Sequence, residues 1–247
     1  MRLRILQWNV WIKEDPAKIA NEILKINPDI VCAQELKQNL PENIDTAETI
    51  SKIIKYNYFY KEAATWDKRS DITSQGNAIF SRYPIIFSDS VFLKPFIHNP
   101  KDATHEGRVY FEISIKLESR QITFGTTHLS YSYKLKNTKS RKIEADLLSK
   151  VLSSKNDNFV FAGDLNAVPK SYVVTKILEN KNLKNAGPEF DKKTWPTKPF
   201  DKHGFKEDKL NWRIDYVFAS KDINVVSNQI IETKVSDHLP ILIEVEI

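Results

Sequence analysis

The chain has 247 residues, of which 41% are hydrophobic and 28% charged, with a formal net charge of +5 at pH 7. That is enough apolar material for a large core in one domain spanning 1–247, and no Pro/Gly/Ser-rich linker, repeat or low-complexity tract divides it. No run approaches the roughly 18 apolar residues of a membrane span, and the apolar run at the N-terminus is too short for a signal peptide; the single cysteine, Cys32, excludes an intramolecular disulfide, so a cytoplasmic monomer is expected.

A β-type run at 3–9 comes first. Asp15-Pro16 then opens a helix, with a cap followed by proline at the first position, and Ile19, Ile23 and Leu24 fall on one face through about residue 26. A strand at 30–34 holds Cys32 as a small buried hydrophobe. Asp45 and Glu48 read as an acidic variant of a capping box before a second helix, whose Ile50, Ile53 and Ile54 face inward. Strands follow at 77–81, 85–93, 108–117 and 121–128. The spacing of Ile143, Leu147, Leu148, Val151 and Leu152 predicts a helix over 138–153, and after the strand 158–163 a shorter helix follows Ser171. The last strands are 214–219, 223–231 and 241–247. Ten strands and about four helices suit two sheets packed face to face with helices outside.

Several of these runs carry a polar group at one end: Asn9, Glu35, His128, Asp164 with Asn166, Asp215, and the pair Asp237-His238. Charge beside a buried strand is costly unless it is used, and strand ends are where an α/β sheet builds a site. A serine or cysteine hydrolase is disfavoured, because no Gly-x-Ser-x-Gly occurs and Cys32 lies in an apolar strand. Zinc is disfavoured as well, since the five histidines are scattered.

The words Gln7-Trp8-Asn9-Val10, Gln34-Glu35, Gly76-Asn77-Ala78-Ile79-Phe80-Ser81-Arg82-Tyr83-Pro84-Ile85, Thr127-His128-Leu129, Gly163-Asp164-Leu165-Asn166, Arg213-Ile214-Asp215-Tyr216 and Ser236-Asp237-His238-Leu239-Pro240 occur in that order. In them the chain resembles the endonuclease/exonuclease/phosphatase superfamily of metal-dependent phosphoesterases. The resemblance implies a four-layered α/β sandwich, two packed mixed β-sheets flanked by helices, with the site at one edge of the sheets. It implies Mg²⁺ or Mn²⁺ bound by Glu35, with Asn9 in the metal set or orienting the phosphate. Asp237 is a second candidate ligand, or equally a cap for the turn before the last strand. His238 looks like the histidine that deprotonates or positions a water, its tautomer fixed by Asp215. By resemblance Asp164 contacts the nucleophile or leaving group through a proton, and Asn166 donates to the scissile phosphate from an Asp-x-Asn pair on one strand end. His128 would add a donor or protonate the leaving oxygen. Arg108 either reaches the phosphate or is a strand-surface arginine. A non-catalytic binding module would normally have lost one of these groups, and none is missing.

Substrate class rests on two basic runs. Lys134, Lys136, Lys139, Arg141 and Lys142 follow His128 with Tyr131 and Tyr133, while Lys192, Lys193, Lys198, Lys202, Lys206 and Lys209 precede Asp215 with Trp195 and Trp212. Cations for phosphates and rings for stacking compose a single-stranded nucleic-acid groove, although mobile, solvated loops have the same composition. The expected substrate is a phosphodiester, with DNA or RNA preferred over lipid headgroups or small phosphorylated molecules. His128, where abasic-site endonucleases have tyrosine, and Val10-Trp11 after Asn9 argue against that branch. Gln7 and Leu165 depart from the threonine and aspartate of tyrosyl-DNA phosphodiesterases.

Overall fold

The computed structural model describes residues 1–67, 69, 71–202 and 204–247. Strand β1 (Arg2–Asn9) shows the period-2 alternation that organises the whole fold: Leu3 and Ile5 point to one core, Leu6 and Trp8 to another. Helix α1 (Pro16–Ile26) is capped by Asp15, which accepts from the Ala17 N–H, and it buries Ile19, Ala20, Ile23 and Ile26. Leu24, which the sequence spacing sets on one face with Ile19 and Ile23, is instead 47% exposed. After β2 (Ile30–Asn39) and β3 (Ile44–Asp45), Asp45 caps α2 (Thr46–Ile54) by accepting from the Glu48 N–H at 2.9 Å. The Glu48 carboxylate turns to Lys52.

Strands β4 (Asn57–Thr65), β5 (Ser74–Ser81), β6 (Ile85–Lys94), β7 (Ile97–His98), β8 (Arg108–Leu117) and β9 (Arg120–His128) lead to α3 (Lys139–Ser153). Then come β10 (Phe159–Asp164), α4 (Tyr172–Leu178) capped by Ser171, β11 (Leu183–Asn185), β12 (Phe200–Lys202), β13 (Phe205–Glu207), β14 (Asp215–Ser220), β15 (Asn224–Ile230) and β16 (Ile241–Glu246). One sheet runs β15-β16-β1-β2-β5-β4-β7 with β3 beside β2; the other runs β11-β14-β10-β9-β8-β6, and β12 and β13 form a separate hairpin. Both sheets are mixed. β1 is parallel to β2 and antiparallel to β16, while β10 is parallel to β9 and antiparallel to β14.

The inner faces meet in one core, where Ile5, Cys32 and Ile79 pack with Phe111, Phe124 and Val217. The outer face of the first sheet packs Leu6, Trp8 and Val31 against Ile19, Ile23 and Ile50 of α1 and α2. The outer face of the second packs Phe161, Tyr216 and Phe218 against Leu148, Leu152 and Val174 of α3 and α4. These are the four α/β/β/α layers expected. Among the described residues no helix is long and apolar enough to cross a membrane.

Ten strands were expected and the described residues form sixteen, with β3, β4, β7, β11, β12 and β13 added; one helix face changes as well. Strand β4 had no counterpart in the sequence pattern, because Asn-Tyr-Phe-Tyr-Lys-Glu alternates no clear apolar face; its pairing with β5 holds it. Helix α3 forms where predicted but is turned. Leu148 and Leu152 are buried, whereas Ile143 is 50% and Leu147 40% exposed, and Arg141 and Glu144 take the inward places.

Candidate active site

The apolar rows between the sheets end in polar side chains. On β1, Leu3 and Ile5 are followed on the same face by Gln7 and Asn9; on β2, Ile30 and Cys32 by Gln34; on β9, Phe124 by Thr126 and His128; on β10, Val160 and Ala162 by Asp164. β14 runs the opposite way, so its row begins with Asp215 ahead of Val217. Register then does the assembling: Asp164 lies directly opposite His128 on one side and Asp215 on the other, and Asn9 lies beside Gln34.

Glu35 reaches the same place by a backbone irregularity. Ala33 and Leu36 both face the outer core, and the pairing of β2 with β5 shifts between them. Where regular alternation would set one residue between two outward-facing ones there are two, Gln34 and Glu35, and Glu35 takes a φ of 62°. A β-bulge of this kind re-aims a side chain, at a strain of about 1 kcal/mol or more for a non-glycine residue.

Hydrogen bonds join the groups. His238 Nδ1 donates to Asp215 Oδ2 at 3.0 Å, which leaves Nε2 facing Asp164 Oδ2 across 3.9 Å. Asp215 Oδ1 accepts from Gln7 Nε2 at 3.3 Å, and Gln7 and Gln34 exchange two amide bonds of 2.6 and 3.0 Å. In the sequence these glutamines stand out only as letters of the motifs; the signal that could have found them is that they share the parity of Asn9 and Cys32. Asn9 receives the Trp11 N–H on its Oδ1 at 3.1 Å, so its Nδ2 faces the carboxylates and donates to Asp164 Oδ2 at 3.0 Å and Glu35 Oε1 at 3.2 Å. Glu35 Oε2 accepts from the Ile12 N–H at 3.2 Å. Asn166 is not carried by strand alternation: β10 ends at Asp164, and Asn166 sits in a left-handed turn with φ 47°, its N–H bonded to Asp164 Oδ1. From there Asn166 Nδ2 reaches His128 Nε2 at 2.9 Å and Leu129 O at 3.0 Å.

The electrostatics follow from burial and crowding. Burial acts against charge on His238, yet Asp215, Asp237 and Asp164 together push the imidazole up to about 10. Burial and the neighbouring Asp215 push Asp164 up to about 7. Glu35 is raised by burial and by Asp237. Burial, then Arg108 and His238, hold His128 well below the ordinary histidine value, so it is neutral, and the Asn166 amide makes its Nε2 an acceptor.

Asp237 Oδ2 accepts from Trp195 Nε1 at 3.3 Å, whereas its buried Oδ1 finds no hydrogen-bond partner among the described residues. An orphaned carboxylate oxygen that raises a second carboxylate, Glu35, is an all-oxygen donor set suited to a hard divalent cation. Asp164, Asp215 and His238 also offer ligand atoms within 4.8 Å of one another, but Asp215 and His238 are already bonded to each other.

A cleft of ≈ 280 Å³ opens on Glu35, His128, Asp164, Asn166, Asp237 and His238, and Glu106, Arg108, Tyr131, Trp195, Phe200 and Lys202 also line it. A hollow of ≈ 500 Å³ adjoins it through Arg69, Ala103 and Glu106. Arg108 is a buried cleft residue rather than a surface one, bonded to Glu106, Ala103 O and Ser130. The two basic aromatic runs are also rearranged. Leu135, Trp195, Phe205 and Ile214 form a small core with Tyr131, Phe200 and Trp212 packed on it, so Trp195 is a buried wall and not a free stacking platform. Arg141 is buried and does not line the cleft.

The sequence profile of the Endonuclease/Exonuclease/phosphatase family matches residues 6–238. A comparison with curated protein sequences returned no match. Among solved structures, the human Nocturnin catalytic domain with bound sulfate anion is similar at 21% identity and TM-score 0.71, covering 99% of this chain and 93% of that one. D. rerio TDP2 complexed with single strand DNA product gives 17%, 0.74, 100% and 99%. A mannosyl-6-phosphatase of Bacteroides thetaiotaomicron VPI-5482 gives 14%, 0.70, 99% and 100%. At these identities the likeness establishes the fold.

Proposed function

Because the chain belongs to the endonuclease/exonuclease/phosphatase family and is thus a phosphoesterase, we propose that it is a Mg²⁺-dependent phosphodiester hydrolase that works as one unit over residues 1–247. The observation that carries this reading is the bonded Asp215–His238 pair facing Asp164 across 3.9 Å, next to the unpartnered oxygen of Asp237 and the carboxylate of Glu35.

A phosphodiester repels nucleophiles through its anionic oxygens, so the site needs a proton acceptor and positive charge. Glu35 and Asp237 would hold Mg²⁺ or Mn²⁺, which when bound offsets charge on the phosphate. Asn9, with its NH₂ on Glu35 and Asp164, orients the carboxylates instead of ligating through its own oxygen. Asp215 keeps a proton on His238 Nδ1 and so aims Nε2 at the gap before Asp164. His238, held charged by the carboxylates around it, positions a water in that gap through Nε2, and the water's proton passes to Asp164. Asn166 would donate to the phosphate from Nδ2 by exchanging its bond to His128 Nε2 or Leu129 O. His128, neutral and accepting from Asn166, supports an aligning role better than a proton-donating one.

For the substrate, Lys202, 5.2 Å over the Tyr131 ring, forms with Phe200 a cation-and-ring wall in the cleft, which supports a nucleic-acid strand. The single strand DNA product in the TDP2 structure is a fold-level parallel. A small phosphorylated molecule is the second reading. It is favoured because, of the lysines in the two basic runs, only Lys202 lines the cleft among the described residues. The lone cysteine supports a cytoplasmic setting, and we take the protein as a monomer.

The test is hydrolysis of single-stranded DNA, RNA, bis-nitrophenyl phosphate, sugar phosphates and inositol phosphates with Mg²⁺, before and after chelation. Chelation is expected to abolish turnover of whichever substrate is cleaved; undiminished hydrolysis after exhaustive EDTA dialysis would remove the metal from the reading.

A further inference from the structure

Helix α3 turns two opposite charges inward, Arg141 and Glu144, each 1% exposed, while Ile143 and Leu147 beside them face solvent. Local energetics oppose this. Arg141 is the third residue after the Thr138 cap, at the helix end where the macrodipole disfavours a cation. Burying a charge carries a desolvation cost, and the Arg141 Nε has no partner among the described residues.

The contacts of these two residues reach past the helix. Arg141 Nη1 donates to Ser132 Oγ at 2.9 Å and Nη2 to Leu165 O at 2.9 Å. Leu165 stands between Asp164 and Asn166, and Ser132 is in the loop that leaves His128. Glu144 accepts from the Ser130 N–H at 3.0 Å, from Ser130 Oγ at 2.7 Å and from Ser140 Oγ at 3.2 Å. Ser130 Oγ in turn accepts from Arg108 Nε at 3.3 Å. One turn of α3 therefore grips both chain segments that continue β9 and β10. Between those segments the join is completed by short links: Leu129 N–H to Asp164 O at 3.0 Å, and Asn166 Nδ2 to Leu129 O at 3.0 Å and to His128 Nε2 at 2.9 Å.

We propose that Arg141 and Glu144 are positioning residues that hold the segments leaving His128 and Asp164 against each other, and with them the Asn166 amide against His128. The buried fork crosslinks the two segments just past the paired ends of β9 and β10, where regular sheet pairing has stopped, and Glu144 fixes the first of them from the same helix turn. The kinetic consequence rests on the phosphodiesterase reading; the mechanical one does not. Displacing a catalytic group by about 1 Å can cost on the order of a hundredfold in rate.

The experiment compares Arg141→Met, Arg141→Lys and Glu144→Gln in the full chain by amide hydrogen exchange and by hydrolysis of bis-nitrophenyl phosphate. Arg141→Met is expected to speed exchange at 129–132 and 165–166 by tenfold or more relative to the rest of the fold. It is expected to lower kcat by tenfold or more with KM within about twofold. Arg141→Lys, reaching one of the two partners, falls between, and Arg141→Met on an Asn166→Ala background adds less than twofold. Glu144→Gln, of equal volume, reads the same exchange at Ser130 should Arg141→Met not fold. Unchanged exchange at both segments, a kcat loss that follows the unfolded fraction, or full additivity with Asn166→Ala overturns the proposal. A wild type inactive on every diester would sink the hydrolase reading, and the exchange result would still decide the crosslink.

Discussion

Three carboxylates surround the imidazole of His238, and the one bonded to it, Asp215, sets both its tautomer and much of its charge. Asp215→Asn removes the largest of the raising influences, so the His238 pKa of the metal-free protein is expected to fall from about 10; an imidazole NMR titration reads this directly. His238→Ala and Asp164→Ala should each lower kcat by roughly a hundredfold or more with the fold kept, the usual loss for a group that handles the proton. Near wild-type kcat in His238→Ala would take the imidazole out of the mechanism. Cys32 shows the opposite situation, a titratable group with nothing to do. It is fully buried between the sheets, and burial pushes the thiol up to about 12. A thiol reagent such as dithionitrobenzoate is therefore expected to leave the native protein unlabelled and to label it once in denaturant.

At the scale of elements, the bulge in β2 places a strained, crowded acid where a regular strand would place none. The folded protein raises the pKa of Glu35, so its ionised form costs stability as pH climbs above the ordinary carboxylate range, the reverse of a salt-bridged acid. Glu35→Gln should consequently raise Tm at neutral pH in the absence of divalent ions. Mg²⁺ should raise the Tm of the wild type and leave that of Glu35→Gln unmoved, by mass action on the folded state. A wild-type Tm insensitive to millimolar Mg²⁺ and Mn²⁺ would count against Glu35 and Asp237 as the cation site. Helix α3 allows a cleaner stability test. Leu148→Ala, at a fully buried position, is expected to cost about 2–5 kcal/mol in denaturant unfolding. Ile143→Ala, on the half-exposed face, should change stability by roughly 0.5 kcal/mol or less. Equal losses at the two sites would mean that the helix is rotated differently.

For the whole molecule, the charge of +5 matters only where a substrate can meet it. Lys136 and Lys139 are exposed and do not line the cleft, whereas Lys202 does. Lys202→Glu should therefore weaken oligonucleotide binding more than the double reversal Lys136→Glu with Lys139→Glu. It should flatten the dependence of log affinity on log salt by about 0.7 for each phosphate of a single strand that the protein no longer neutralises. A larger effect from Lys136 and Lys139 would restore the loop as the strand-binding surface, and no binding to any oligonucleotide at low salt would leave the small-molecule reading.

What the sequence determined by itself was whatever depends on short-range periodicity and on charge placed beside apolar runs. The ten strands, α1, α2 and α4 were legible because alternation, caps and helical spacing are local. That Asn9, Glu35, His128, Asp164, Asp215 and His238 stand beside buried runs was legible in the sequence, and the fold gathers these side chains at one end of the two sheets. Tertiary structure decided the rest. Strand β4 exists through its partners and not through its own pattern. Gln7 and Gln34, neutral amides, became a buried support for Asp215 only when β1 and β2 were set side by side. The inward turn of Arg141 and Glu144 runs against the apolar periodicity of their helix, and the joining of two distant basic runs into one aromatic core depends on packing between Leu135 and Trp195, about sixty residues apart. The physical reason is the same in each case: burial of a polar or aromatic side chain is fixed by partners brought from elsewhere in the chain, and no local pattern encodes them.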